Sequence, residues 1–348
     1  MRLAGGRGQG PAGVAGGLKR ALHLQWAALA RRFDAGPASC KVNGLERQSS
    51  GTRKLSHNAS TLIGMSAVLM WSASLGLIRS ISEIFGATGG AALIFSASAM
   101  LATLAVGWPK VRELPRAYLL GSGSLFVAYE IALSLSVGMA HGRAQALELG
   151  MINYLWPSLT VLLATLMRQQ RGSWLLPPAI ALCFAGIVWV MKGDGDWSPA
   201  LLWANMRGNP PAYALAFGAA ILWAAYSVLT RRVGGGKNAV PAFLVVTALL
   251  LWIKYALSAE PALHVSLSGA LQVLVLSALT ATAYSCWNHG VQRGSITLLA
   301  TASYFAPVFS ALLASAWLGV RPGAGFFQGV AMVTAGSFAC WWATRGKA

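Results

Sequence analysis

The sequence predicts an all-α membrane protein, with ten transmembrane helices arranged as an inverted 5+5 repeat. Three observations predict it. The first is composition: of 348 residues, 56% are Ala, Val, Ile, Leu, Met, Phe, Trp, Tyr or Cys and 10% are charged. Soluble domains carry about 25% charged residues, so a water-soluble globular protein is excluded. The aromatic and branched-aliphatic content excludes a disordered chain. The second is that ten runs of roughly 20 mostly apolar residues, the length that crosses a bilayer, follow one another between residues 60 and 343. The third is that runs one to five recur as runs six to ten.

In chain order, residues 1–59 come first, a basic Gly/Ala-rich tail. Leu18, Leu22, Trp26, Leu29 and Phe33 place an apolar helical stripe there, between Lys19, Arg20, Arg31 and Arg32. An interfacial amphipathic helix, a transit peptide, a flexible leader and an upstream start codon all fit it. The first five runs, 60–78, 89–107, 117–139, 144–167 and 173–191, form a first unit over residues 60–191. The next five, 211–230, 240–258, 269–289, 295–317 and 324–343, form a second over 211–345. Short polar or Gly/Pro loops separate them, which leaves no room for a soluble domain. Cys183, Cys286 and Cys340 fall inside apolar runs and show no metal-ligand spacing, so they read as small buried hydrophobes. No metal or cofactor is expected.

The repeat carries the main inference. At an offset of 152, Trp71 meets Trp223, Ala73 meets Ala225, Leu77 meets Leu229 and Arg79 meets Arg231. At an offset of 150, Tyr154 meets Tyr304, Pro157 meets Pro307, Arg143 meets Arg293, and Ala185-Gly186 meets Ala335-Gly336. Because five is odd, the second copy enters the membrane the opposite way up. Inverted repeats are a transporter architecture, with the substrate near the midplane between the halves. Loop charge sets the orientation. With the N-terminus inside, fourteen Lys/Arg lie in or beside inner loops and six in or beside outer ones. Both termini are therefore expected in the cytoplasm, in a multi-pass protein whose surroundings are lipid and not nucleic acid.

Candidate site residues follow from side-chain chemistry at depth. Tyr129, Trp223, Tyr226, Tyr284, Trp287 and Tyr304 fall on helical faces that mix rings with hydroxyl or amide groups, and Tyr154 and Trp156 closely precede Pro157. Packing explains any one of them; together they suit a cavity that stacks aromatic side chains. Glu130 and Glu148 are carboxylates inside apolar runs, where charge is costly and faces a cavity or a partner. Three roles stay open for them: proton coupling, contact with a substrate amine, or a structural hydrogen bond. Asn153 and Asn288 are candidates for the substrate's charged groups or for pairing between helices. Pro157 and Pro307 free the carbonyls of Asn153 and Ser303, which bends a helix, and in a bilayer such carbonyls need protein or a wet cavity. Arg79 and Arg231 end equivalent helices and are expected to snorkel. Gly325/Gly329, Ala331/Ala335 and Ala181/Ala185 have the small-xxx-small spacing of close helix contacts. His289 reads as a packing residue.

An enzyme is not expected. There is no phosphate-binding G-x-x-x-x-G-K-[ST], the five His show no i, i+4 pairing, and the acidic residues are scattered. The stretches SLFVAYEIALSLSVG, ALELGMINYLWPSLTVL, AYSCWNHG and ASYFAPVFSALLA resemble the aromatic amino acid exporters of the drug/metabolite transporter superfamily, built from two EamA-type domains. The resemblance covers about residues 60–345. The run from Glu148 to Pro157 is fairly specific for the exporters; Tyr-x-x-Pro with Leu-Leu-Ala is general for the superfamily. The resemblance implies outward movement of aromatic and other neutral amino acids across a bacterial inner membrane, by alternating access of two inverted repeats. A monomer is compatible with that architecture. The competing reading within transporters is broad efflux of cationic or aromatic drugs and metabolites, using the same aromatic walls.

Overall fold

In a computed structural model of the chain, residues 56–167, 173–192, 199–234, 237–264, 266–293, 299 and 302–345 are described. The tail through residue 55 lies outside them. Among the described residues every regular element is helical. The helices are α1 (His57–Phe85), α2 (Ala87–Val106), a π-helical turn (Ala117–Ser122) running into α3 (Gly123–Gly138), α4 (Arg143–Asn153), α5 (Trp156–Leu166) and α6 (Leu176–Lys192). They continue as α7 (Pro199–Gly208), α8 (Pro210–Val233), α9 (Val240–Ala256), α10 (Leu267–Arg293), α11 (Ala306–Leu318) and α12 (Ala324–Arg345).

Among the described residues, six segments are long and apolar enough to cross a membrane: α1, α2, α3 with its π turn, α4–α5, and parts of α8 and α10. The helices α6, α9 and α11 are apolar and shorter. Large side chains such as Leu69, Met100, Leu104, Leu249, Ile253, Leu271, Leu312 and Trp317 stand exposed along these helices. In water such a surface would aggregate; in lipid it is the solvated face.

Because lipid tails are as apolar as leucine, the helices are held together by close packing and interhelical hydrogen bonds. The principal pairs are α1 with α10 and α11, α2 with α9 and α10, α3 with α8, α5 with α8, and α6 with α12. The α6–α12 pair shows the packing term. A Cβ on Gly186 would lie 2.8 Å from the Gly329 carbonyl, and one on Gly336 would lie 2.6 Å from Cys183 Sγ and 2.9 Å from the Ala179 carbonyl. The two backbones therefore touch, antiparallel. Gly329 belongs to the expected small-residue pattern. Ala181, Ala185, Ala331 and Ala335 do not serve this contact; they are exposed, because the buried helical face runs through Ala179, Cys183 and Gly186. Hydrogen bonds add to it: Ser136 Oγ donates to the Ala212 carbonyl at 2.8 Å, Ser277 Oγ to Ile94 at 2.9 Å, and Trp252 Nε1 to Ser96 Oγ at 2.9 Å. His289 is buried, and its Nε2 lies 3.2 Å from Ser60 Oγ.

The end of the bundle where α1 meets α2 is tied by charge. Gly86 has φ +77°, and a Cβ there would meet Glu260 Oε2 at 2.7 Å. The bare glycine lets the Glu260 carboxylate accept from the backbone N–H groups of Thr88 at 3.0 Å and Gly89 at 3.1 Å. A carboxylate at a helix N-terminus answers both the unpaired amides and the helix dipole. Arg79, expected to snorkel, has protein acceptors about its head group. Its guanidinium bonds Glu83 at 3.0 Å and the Ala140 carbonyl at 2.7 Å. Arg143 bonds the same Glu83 at 2.8 Å and the Leu318 carbonyl at 2.8 Å. A third acceptor, the Gly138 carbonyl, lies 3.3 Å from the Arg79 guanidinium. The Arg231 side chain lies outside the description.

Candidate functional site

The helix broken between α4 and α5 is the local feature from which the site grows. Asn153 ends α4, Tyr154 and Leu155 turn, and Pro157 stands in the first turn of α5. Proline lacks the N–H that the preceding turn would need and is tolerated at a helix start. The chain tightens into i→i+3 bonds there: Tyr154 N–H donates to Met151 at 3.0 Å and Leu155 N–H to Ile152 at 3.1 Å. Near residue 305 the pattern returns, with Phe305 N–H donating to Ala302 at 3.0 Å and Pro307 in the first turn of α11.

Beside the break lies a cavity of ≈ 100 Å³, walled by α1, α2, α3, α8 and α10 together with the two broken segments. Trp71, Ser74, Leu75 and Ile78 come from α1; Tyr129, Glu130, Leu133 and Ser134 from α3. Gly150, Asn153, Tyr154 and Trp156 come from the first break, Trp223 from α8, Thr280 and Tyr284 from α10, and Ser303 and Ala306 from the second break.

The aromatic wall centres on Trp223. Its ring centroid lies 4.5 Å from Tyr129, 6.2 Å from Trp156 and 6.3 Å from both Trp71 and Tyr284. Trp71 lies 5.4 Å from Tyr284, edge-on. Rings held at tilted and edge-on angles present faces and edges together, a geometry that accepts a further ring by stacking.

The polar groups are few. Glu130 is 7% exposed and accepts a hydrogen bond from the Tyr284 hydroxyl. Asn153 is 6% exposed and its amide lies beside the Tyr129 hydroxyl. Asn153 Oδ1 is fully buried and has no hydrogen-bond partner. A buried acceptor left unpaired costs about 1–3 kcal/mol, so a donor brought into the cavity gains that interaction.

The structure gathers Tyr129, Glu130, Asn153, Tyr154, Trp156, Trp223 and Tyr284 around this cavity and places Glu148, Tyr226, Trp287 and Tyr304 elsewhere. Glu148 faces away and accepts from the Tyr213 hydroxyl at 2.8 Å. Tyr226 stands behind the wall, 5.1 Å from Trp223 and 5.5 Å from Phe126. Trp287 backs Trp71 at 5.3 Å. Tyr304 is buried and packs edge-on to Phe338 at 6.5 Å. The Asn288 side chain lies outside the description. Trp71, Ser74 and Thr280 are lining residues that the sequence reading did not select. Trp71 carried a signal, since the repeat aligns it with Trp223.

Comparison with known proteins bears on this cavity. Residues 210–342 match the model of the EamA-like transporter family. The chain is 42% identical to "Aromatic amino acid exporter YddG" of Salmonella typhimurium, over 82% of this chain and 98% of that protein. It is 40% identical to the protein of the same name from Escherichia coli, over 84% of this chain and 99% of that one. A solved structure titled only "Crystal structure of protein" superposes with TM-score 0.60 at 26% identity, covering 83% of this chain and 99% of the other.

Proposed function

Since the chain belongs to the EamA-like transporter family, alongside curated exporters at 40–42% identity, we propose that it exports aromatic and other neutral amino acids across the bacterial inner membrane. The cavity between α1, α3, α8, α10 and the broken helices is the substrate site of this reading. The side chain of the amino acid stacks among Trp71, Trp156 and Trp223. Its ammonium meets Asn153 Oδ1 and the Glu130 carboxylate, and its carboxylate meets the hydroxyl groups of Tyr129 and Tyr154. The observation that carries the assignment is the unpartnered Asn153 Oδ1, buried beside an aromatic wall. At ≈ 100 Å³ the cavity is smaller than the ~300–1,000 Å³ of pockets that enclose drug-sized ligands. Loading therefore needs the rings of Trp71 and Trp223 to part, together with their helices.

Alternating access by ten helices in two inverted sets of five accounts for how that happens. Supporting it, the α6–α12 contact maps onto itself under the 150-residue offset. Ala179, Cys183 and Gly186 correspond to Gly329, Val333 and Gly336, and the two sets cross antiparallel. Equivalent helices of oppositely inserted halves must run antiparallel. The same exchange turns the α1–α10 pair into α8–α3, and α1–α11 into α8–α5, each of which is a principal contact. The family match at 210–342 spans nearly the whole second unit. Both termini lie in the cytoplasm in this reading, from the loop-charge bias.

The test is efflux of labelled phenylalanine from preloaded proteoliposomes containing the purified protein. Efflux above protein-free liposomes, competed by tryptophan and not by a cationic dye, is the expected result. Competition by the dye with no phenylalanine flux would replace this reading with drug efflux.

A further inference from the structure

We propose that a groove between α6, α7 and α8 binds a membrane phospholipid with an anionic headgroup, its acyl chain along the groove and its phosphate on Arg207. The groove holds ≈ 460 Å³, several times the central cavity. Its walls are apolar: Phe184, Ile187 and Met191 of α6, Trp203 of α7, and Ala214 and Phe217 of α8. The one hydroxyl that reaches it belongs to Tyr213, and that hydroxyl is donated to Glu148. A zwitterionic amino acid could set its carboxylate on Arg207 but would leave its ammonium unpaired against apolar walls, at a cost of several kcal/mol. A hydrocarbon chain leaves nothing unpaired.

The cation at the rim selects the headgroup. Arg207 lines the groove, is exposed, and lies 4.9 Å over the Trp203 ring. The salt bridges found among the described residues do not include it. Lys192, directly after Met191, is likewise carried over an indole, 4.8 Å from the Trp189 centroid. Stacking on indole holds a cation in place while leaving its N–H groups for an anion. α7 is only 10 residues long, too short to span, and carries an exposed Trp203 and Met206 beside Arg207. That is the composition of a helix lying at headgroup level, and basic sites between membrane helices bind anionic lipid headgroups.

The groove also touches the transport machinery. Its floor includes Ile152 and Leu155, which alternate with Asn153, Tyr154 and Trp156 of the cavity wall. A bound acyl chain packs against one side of the α4–α5 break while the substrate site occupies the other.

Native mass spectrometry of the full-length protein, offered equal phosphatidylglycerol and phosphatidylethanolamine, tests the proposal. One Arg near a membrane surface contributes about 1 kcal/mol toward anionic lipid. We expect phosphatidylglycerol to be retained about 5-fold better, since 1.4 kcal/mol is tenfold. Arg207→Gln abolishes the preference, lowering phosphatidylglycerol retention more than phosphatidylethanolamine retention, because both lipids carry the phosphate and only phosphatidylglycerol carries a net negative charge. Ala214→Trp, filling the groove from an exposed position, lowers retention of both lipids. Equal retention by the wild type, a preference that survives Arg207→Gln, or undiminished retention in folded Ala214→Trp overturns it. Should Ala214→Trp fail to fold, the Arg207→Gln comparison decides alone. Lipid retention is read without any amino acid present, so this proposal and the substrate assignment fail separately.

Discussion

At the scale of single residues, the two intramembrane carboxylates have different surroundings and should have different consequences. Glu130 lines the cavity and is held by Tyr284; Glu148 is held by Tyr213 outside it. If a pH gradient accelerates phenylalanine efflux, Glu130→Gln should remove that acceleration and Glu148→Gln should retain it, as measured in proteoliposomes with and without an imposed gradient. Loss of the acceleration in Glu148→Gln alone would move coupling out of the cavity. The sequence could not separate the pair, because both are carboxylates inside apolar runs. What separates them is rotation about the helix. Glu148 and Asn153 are five residues apart, about 140° around the axis at 3.6 residues per turn, so a helix that turns Asn153 inward turns Glu148 aside. Tyr154 and Tyr304 occupy equivalent repeat positions, yet only Tyr154 lines the cavity. Sequence equivalence carries position and not neighbours, and Phe338 of α12 claims the second ring.

At the scale of elements, six of the ten expected runs are legible as membrane-length apolar helices among the described residues, because twenty-residue hydropathy is a strong signal. Breaks within runs were only half legible. Pro157 and Pro307 marked where bending occurs, but the separate α4 and α5 depend on the tightened turn between them. The short α7 lies in a stretch that read as loop. The contact faces were the least legible, since small residues stand on several faces of α6 and α12 and period alone does not choose. The structure chooses the face of Gly186, Gly329 and Gly336. Gly329→Leu places a side chain where even a Cβ lies 2.6 Å from the Gly186 carbonyl. It should destabilise the protein by about 1–3 kcal/mol or more, as overpacking does. Ala331→Leu, on the exposed face, should leave the melting temperature in detergent unchanged. Equal melting temperatures for both variants would refute the α6–α12 contact.

At the scale of the whole molecule, the all-helical membrane class and the family were legible, because composition and motif agreed with one another. The cavity was legible in part: mid-run aromatic faces pointed to Tyr129, Trp223 and Tyr284, whereas Trp71 needed the tertiary arrangement to be seen as their neighbour. Sidedness is a whole-molecule property with its own test. Lys237 Nζ donates to the Glu113 carbonyl, so the α2–α3 and α8–α9 connections share one end of the bundle. Gly138 and Ala140 are bound by Arg79 near the end of α1, at the other. With the native cysteines replaced, His141→Cys should react with an impermeant maleimide in intact cells, whereas Lys110→Cys and Lys237→Cys should react only after permeabilisation. The reverse pattern would invert the orientation. The most direct test of the central claim, that the amino acid binds beside the α4–α5 break, is calorimetric titration of the purified protein with phenylalanine. Removing one hydrogen bond to a charged group costs about 1.5–3 kcal/mol. Asn153→Ala should therefore weaken binding about 10- to 100-fold, while Trp317→Ala, on the lipid-exposed face, should bind as the wild type does. Unchanged affinity in folded Asn153→Ala, or an equal loss in Trp317→Ala, would contradict it.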